Sequence, residues 1–151
     1  MDEDSPTEPA SESARALVET ERYLLAAGGA IGVPVTILRL SGIVGPGRGP
    51  LNRVIGYAGT QRPDPNDYVN LVHVDDIVAA CVGLLDRPFD GILNLTSDEP
   101  VLRRAYYDHL LRQAGAAPIR WIPDSRPMPG GKRIRNDRAR RWLGLTLRNP
   151  Q

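Results

Sequence analysis

The hydrophobic pattern switches repeatedly between helical and strand periodicity along the chain. Leu17, Val18, Tyr23, Leu24 and Leu25 recur at helical spacing over residues 13–27. Ser11 or Ser13 stands where an N-cap belongs, since a short hydroxyl side chain accepts from a free amide of the first turn. Gly28-Gly29 supplies the stop. Residues 33–40 read Val-Pro-Val-Thr-Ile-Leu-Arg-Leu, short and nearly all apolar, the pattern of a strand covered on both faces of a parallel sheet. A glycine- and proline-rich loop over 41–50 and a short helix over 51–57 follow, and Pro63 and Pro65 mark a loop over 61–66.

The second half repeats the alternation. Residues 68–74 predict a strand, and Asp75 or Asp76 is placed to cap a helix over 77–85. That helix is apolar nearly all round, so burial is expected. Residues 92–95 predict a third strand. Glu99-Pro100 opens a helix reaching about Leu111 and ending near Gly115. Residues 119–122 predict a fourth strand, 126–131 a proline-glycine loop, and Asn136 the cap of a last helix through Leu143, closed by Gly144. Residues 1–10, with Ser5-Pro6 and Glu8-Pro9, predict a surface loop. Helices alternating with strands predict an α/β fold with a largely parallel sheet, in one domain over 1–151. The chain opens on a loop and a helix, without the first strand such folds need, and something upstream is expected to be missing.

Composition adds limits. The 151 residues are 41% hydrophobic and 25% charged with a net charge of +1, so bulk electrostatics gives no reason to expect nucleic acid or an acidic membrane. The N-terminus is acidic and polar, unlike a signal peptide, and no apolar run is long enough to span a bilayer. With one cysteine, Cys81, no internal disulfide can form, which fits a reducing cytoplasmic setting. Charge is unevenly spread. Acids crowd residues 1–21 and arginines crowd the chain from Arg126 onward, a pattern expected to form two solvated faces.

Few motifs carry chemistry outright. Gly42, Gly45, Gly47 and Gly49 follow a strand, yet their spacing is not the G-x-G-x-x-G that lays backbone amides on a pyrophosphate, and no G-x-x-x-x-G-K-[ST] occurs. An irregular loop lining a cleft at a strand's carboxyl end fits better. His73, His109 and Cys81 offer no zinc spacing, so no metal is expected. No nucleophile elbow supports hydrolysis, and Tyr106-Tyr107 reads as packing.

Four segments, in order, carry a resemblance. They are Arg39-Leu40-Ser41-Gly42-Ile43-Val44-Gly45-Pro46-Gly47-Arg48, Asn70-Leu71-Val72-His73-Val74-Asp75-Asp76-Ile77, Ile92-Leu93-Asn94-Leu95-Thr96-Ser97-Asp98-Glu99-Pro100-Val101, and the closing pair Lys132-Arg133-Ile134-Arg135-Asn136 with Ala139-Arg140-Arg141-Trp142-Leu143-Gly144. Together they resemble the C-terminal half of extended, atypical short-chain dehydrogenases/reductases, the NAD-dependent epimerase/dehydratase family. The resemblance implies an incomplete Rossmann-like parallel sheet made of its later strands, plus a small substrate-binding subdomain. It implies a nicotinamide cofactor, NAD or NADP, whose glycine-loop half is not in this chain, and a substrate resembling a nucleotide sugar. It also implies a partner: the missing N-terminal half, or a homo-oligomer.

The resemblance further assigns residues. Counted back from Arg39, the family's Tyr-x-x-x-Lys positions fall on Ser11 and Arg15, and Glu19 falls where the family often has a glutamate. A serine is a far weaker acid-base than a tyrosine, and an arginine does not shuttle protons. The catalytic group is therefore open, and Ser11 reads first as a cap. Leu40, Ser41, Gly42 and Ile43 would approach the nicotinamide end of the cofactor. Arg48, Asn52, Arg53 and His73 would face the substrate. The resulting expectation is the substrate-side half of an oxidoreductase, inactive alone; the alternative is a non-catalytic binding module derived from that fold.

Overall fold

A computed structural model describes residues 1–123 and 131–148 of the chain. Helix α1 (Glu12–Ile31) is followed by β1 (Thr36–Leu40), β2 (Gly42–Val44), α2 (Leu51–Ile55), β3 (Gln61–Arg62), β4 (Tyr68–Val69) and β5 (Leu71–His73). Then come α3 (Val74–Asp86), β6 (Gly91–Leu95), β7 (Val101–Leu102), α4 (Arg103–Gln113), β8 (Arg120–Trp121) and α5 (Asp137–Leu143). The expected alternation holds at the level of helices, while the strands are shorter and more numerous than the pattern suggested. The proline-glycine loop expected at 126–131 lies, Gly131 apart, outside the described residues.

Pairing is largely parallel. β1 lies parallel to β6 with Thr36 opposite Gly91 and Leu40 opposite Leu95. β2 lies parallel to β5, and β3 parallel to β8. The exception is β4, antiparallel to β7. The strand expected over 68–74 is thus two strands, broken at Asn70, and the loops expected over 41–50 and 61–66 contribute β2 and β3. The helix expected from Glu99-Pro100 starts only at Arg103, because Val101 and Leu102 pair with β4 first.

Helix α1 runs past Gly28-Gly29 and stops at Gly32, whose φ of 69° places it in the left-handed region. Gly28 is not a terminator. A Cβ there would sit 2.4 Å from Val35 Cγ2 and 2.7 Å from the Val33 carbonyl, so the missing side chain lets α1 touch the lead-in to β1. The Ser11 hydroxyl accepts from the Ala14 amide at 3.2 Å, as a cap should. Val18 and Leu25 are half-buried, while Leu17, Leu24 and Ile31, spaced seven apart, line up on an exposed face.

The main core gathers Val72, Ala80, Leu93, Leu95, Ala139 and Leu147 between β5, β6, α3 and α5. A second cluster, Val54, Leu111 and Ile119, joins α2, α4 and the approach to β8. Tyr106 and Tyr107 do pack, as expected: Tyr106 is buried against Val44 and Leu71. Helix α3 departs from expectation. Its inner face is buried at Asp76 and Ala80, but Val78, Val82 and Leu85 remain exposed, Leu85 at 83%. Its cap is neither Asp75 nor Asp76. His73 Nδ1 accepts from the Asp75 amide at 3.2 Å, and the two aspartates sit in the first turn, where their charge suits the helix dipole. Asn136 occupies the N-cap position of α5, where its main-chain carbonyl accepts from the Arg140 amide at 3.0 Å but its side chain makes no cap bond.

The charge runs are not two separate solvated faces. Glu3 is buried, accepts from the Asn94 amide at 2.9 Å and lies 3.8 Å from Arg138, which also pairs with Asp4. The Arg135 amide donates to the Met1 carbonyl at 2.8 Å. The N-terminal segment is therefore a strap that satisfies one edge of β6 and ties it to the basic segment. Edges of sheets left open are sticky, and the buried Glu3 carboxylate satisfies one amide, that of Asn94, on this edge. Among the described residues, no helix is long and apolar enough to cross a membrane.

Candidate functional site

The carboxyl end of β1 opens onto a cleft of about 390 Å³. Ala14 and Val18 of α1, Arg39 and Leu40 of β1, Asn94 of β6, residues 5–10 of the strap, and Lys132 and Ile134 of the closing segment line it. This is the end of an open α/β sheet at which ligands bind. The lining is mostly apolar, with charges at a few points.

Asn70 positions much of this region. Its carbonyl accepts from the Gly42 amide at 3.1 Å, its Nδ2 donates to the Lys132 carbonyl at 2.6 Å, and its Oδ1 accepts from the Ile134 amide at 3.0 Å. One residue thus fixes the β1–β2 junction, through its main chain, against the closing segment, through its side chain. Asn136 does similar work, donating to the Thr96 carbonyl at 2.7 Å and to Asp98 at 2.8 Å. Asn94, with its amide on Glu3, sends Nδ2 to the Arg135 carbonyl at 3.2 Å. The sequence signal for Asn94 was a lone amide inside an apolar strand; Asn70 and Asn136 gave no such signal.

Arg39 is held in two places by Glu21 of α1: Nε lies 3.0 Å from Oε1 and Nη2 2.6 Å from Oε2. The hydrogen bond from Glu21 raises the arginine's pKa above its ordinary value, so its charge is permanent and already balanced. Asp2 is held below its ordinary range by the Ser5 hydroxyl.

The four residues expected near the nicotinamide occupy different settings. Leu40 is 40% exposed and lines the cleft. The Ser41 amide and hydroxyl both donate to the Leu95 carbonyl, at 3.0 and 3.2 Å. The Gly42 amide is engaged by Asn70, and Ile43 packs against the main core. The residues present suit an apolar ring beside Leu40. Nearby Gly45 is not a phosphate cradle: a Cβ there would meet Val74 Cγ1 at 2.5 Å, so this glycine accommodates α3 rather than a ligand.

The expected substrate residues form no single cluster around the cleft. Arg48, Asn52 and Arg53 are exposed on the β2–α2 loop and on α2, and His73 is occupied as the α3 cap. Arg53 Nε donates to the Tyr57 hydroxyl at 3.2 Å, which lowers the tyrosine's pKa. Tyr57 also stacks on Tyr107, with Arg62 4.2 Å above its ring. Of the Tyr-x-x-x-Lys positions, Ser11 is spent on its cap, and Arg15 and Glu19 are exposed on α1. Among the described residues, no group of three or more histidines, cysteines or acids could hold a metal ion.

No protein-family model matches the chain. It is 36% identical over 149 residues to Protein YeeZ of Escherichia coli K12, covering 98% of this chain and 52% of that protein. It is 28% identical to a 3-diazoavenalumate denitrifying reductase of Streptomyces sp., covering 53% of it. The chain thus spans about half the length of the curated relatives it matches. Among solved structures, a conserved protein of unknown function from Silicibacter pomeroyi DSS superposes with a TM-score of 0.77 at 31% identity, over all of this chain and 56% of that one. The Bordetella bronchiseptica enzyme WbmG, solved with NAD, superposes with a TM-score of 0.76 at 20% identity, over all of this chain and 49% of that one. The chain has the fold of the C-terminal half of the Rossmann-like NAD-dependent epimerase/dehydratase enzymes, the extended short-chain dehydrogenases/reductases.

Proposed function

We propose that this chain is the substrate-side half of a cytoplasmic NAD(P)-dependent oxidoreductase of the sugar-nucleotide epimerase/dehydratase kind, inactive without a cofactor-binding half. The observation that carries the reading is the cleft at the carboxyl end of β1, walled by α1, β1 and the closing segment, in a fold that covers half of nicotinamide-dependent neighbours. Leu40 is the apolar contact for a nicotinamide ring. Phosphates would be held by the other half, whether joined upstream or supplied by another chain. Arg48, Asn52 and Arg53 would meet the substrate where it extends past α2, and His73 would offer Nε2, since its Nδ1 is the cap acceptor.

The protein isolated from its own cells tests this. The reading expects a polypeptide or complex of about twice 16.5 kDa that carries NAD(P). A lone 16.5 kDa species that never acquires a nucleotide would sink it. A second reading, a non-catalytic binding module on the same fold, is favoured by one observation: the hydroxyl at the family's tyrosine position is engaged within its own helix start, as the cap acceptor for Ala14 and in a hydrogen bond with Ser13.

A further inference from the structure

Every wall of the main cleft but one is fixed. Helix α1 is seated on β1 by Gly28 and by the Arg39–Glu21 pair, β1 is paired with β6, and Asn70 clamps the closing segment at Lys132 and Ile134. The remaining wall is the strap. From Pro6 to Ala10 it lines the cleft, yet it makes no hydrogen bond or ion pair among the described residues. Pro6 and Pro9 have a fixed φ and no amide to donate, so this stretch is stiff and is not tied down along its length.

The strap is held at its ends instead. At one end Ser11 caps α1. At the other, Glu3 Oε1 accepts from the Asn94 amide at 2.9 Å, Oε2 lies 3.8 Å from Arg138 Nε, and Asp4 pairs with the same arginine. The Glu3 side chain is only 3% exposed, so its charge is tolerated there only while these partners hold it. Asn94, the donor of that hydrogen bond, itself lines the cleft. We propose that residues 5–10 form a hinged lid over the cleft, latched shut by Glu3 against Asn94 and Arg138. The lid turns where the chain enters α1 at Ser11. Closed, Pro6 and Pro9 face Val18, Leu40 and Ile134 across the cleft and keep water from an apolar space. Open, the lid gives a ligand access to Leu40. The lid's purpose rests on the oxidoreductase reading, while the latch does not.

Thiol labelling beneath the lid tests the latch without any cofactor, so the lid and the oxidoreductase reading fail separately. In the full chain carrying Cys81→Ser, Val18→Cys supplies the sole thiol, and it lines the cleft. Adding Glu3→Ala should speed its alkylation about tenfold, as the loss of one hydrogen bond to a charged group does. Glu3→Gln keeps an acceptor for Asn94 but loses the charge facing Arg138, and should fall between. Amide exchange at Val72 and Leu93 in the main core should stay within about twofold of the parent, since the opening is local. If Glu3→Ala loosens the whole fold, Arg138→Gln releases the latch from α5 and should still speed labelling about threefold over an unchanged core. Labelling within about twofold of the parent, or a rise matched by core exchange in both variants, would overturn the lid.

Discussion

Arg39 and Glu21 show what a strand-end charge does in this chain. Both are mostly buried, and each is the other's partner across the α1–β1 contact. Arg39→Ala should cost about 2 kcal/mol in denaturant unfolding, because Glu21 is left partly buried and unpaired. The tyrosines report separately on their settings. Arg53 holds Tyr57 below the ordinary value of 10.0, and burial pushes Tyr106 above it. A phenolate absorbance titration should resolve both, and Arg53→Ala should return Tyr57 upward. Tyr106 favours its protonated form when folded. Its contribution is therefore intact below pH 10.0 and lost as pH climbs through its raised value. The resemblance gave Arg39 and Leu40 their place at the β1 end. Glu3, Asn70 and Lys132 were not legible, because their roles depend on partners more than sixty residues distant.

At the scale of elements, helix interiors were readable, and so were the ends at Ser11 and Gly144, while other ends were not. Periodicity placed α1, and caps, Glu99-Pro100 and apolar runs placed the other four helices among the described residues, but Gly28 is consumed by the approach of α1 to Val35, which carries the helix on to Gly32. Gly28→Ala should therefore destabilise by about 2–3 kcal/mol, although alanine is the better helix former. Ser11→Ala and His73→Ala should each cost about 1 kcal/mol, as lost caps do. A loss near zero at Ser11 would mean its hydroxyl is not spent on the helix, which would reopen it as a functional group. The strands were less legible. An apolar run such as 68–74 does not show that its middle residue turns outward to serve two segments, nor that Val101 and Leu102 would pair before a helix begins.

At the scale of the whole molecule, the chain leaves apolar surface uncovered. Leu17, Leu24 and Ile31 form a stripe on α1, and β1 has a single strand neighbour among the described residues. Surfaces of this kind usually meet a partner. Light scattering on the chain alone should show species larger than 16.5 kDa, and a clean monomer would count against a partner-seeking face. The most direct test of the central claim, that the cofactor's phosphates are held elsewhere, is calorimetric titration of NAD(H) and NADP(H) into the 151-residue chain by itself. The account predicts no micromolar binding. Micromolar binding by the chain alone would show that it carries a complete cofactor site, and would contradict its reading as a substrate-side half.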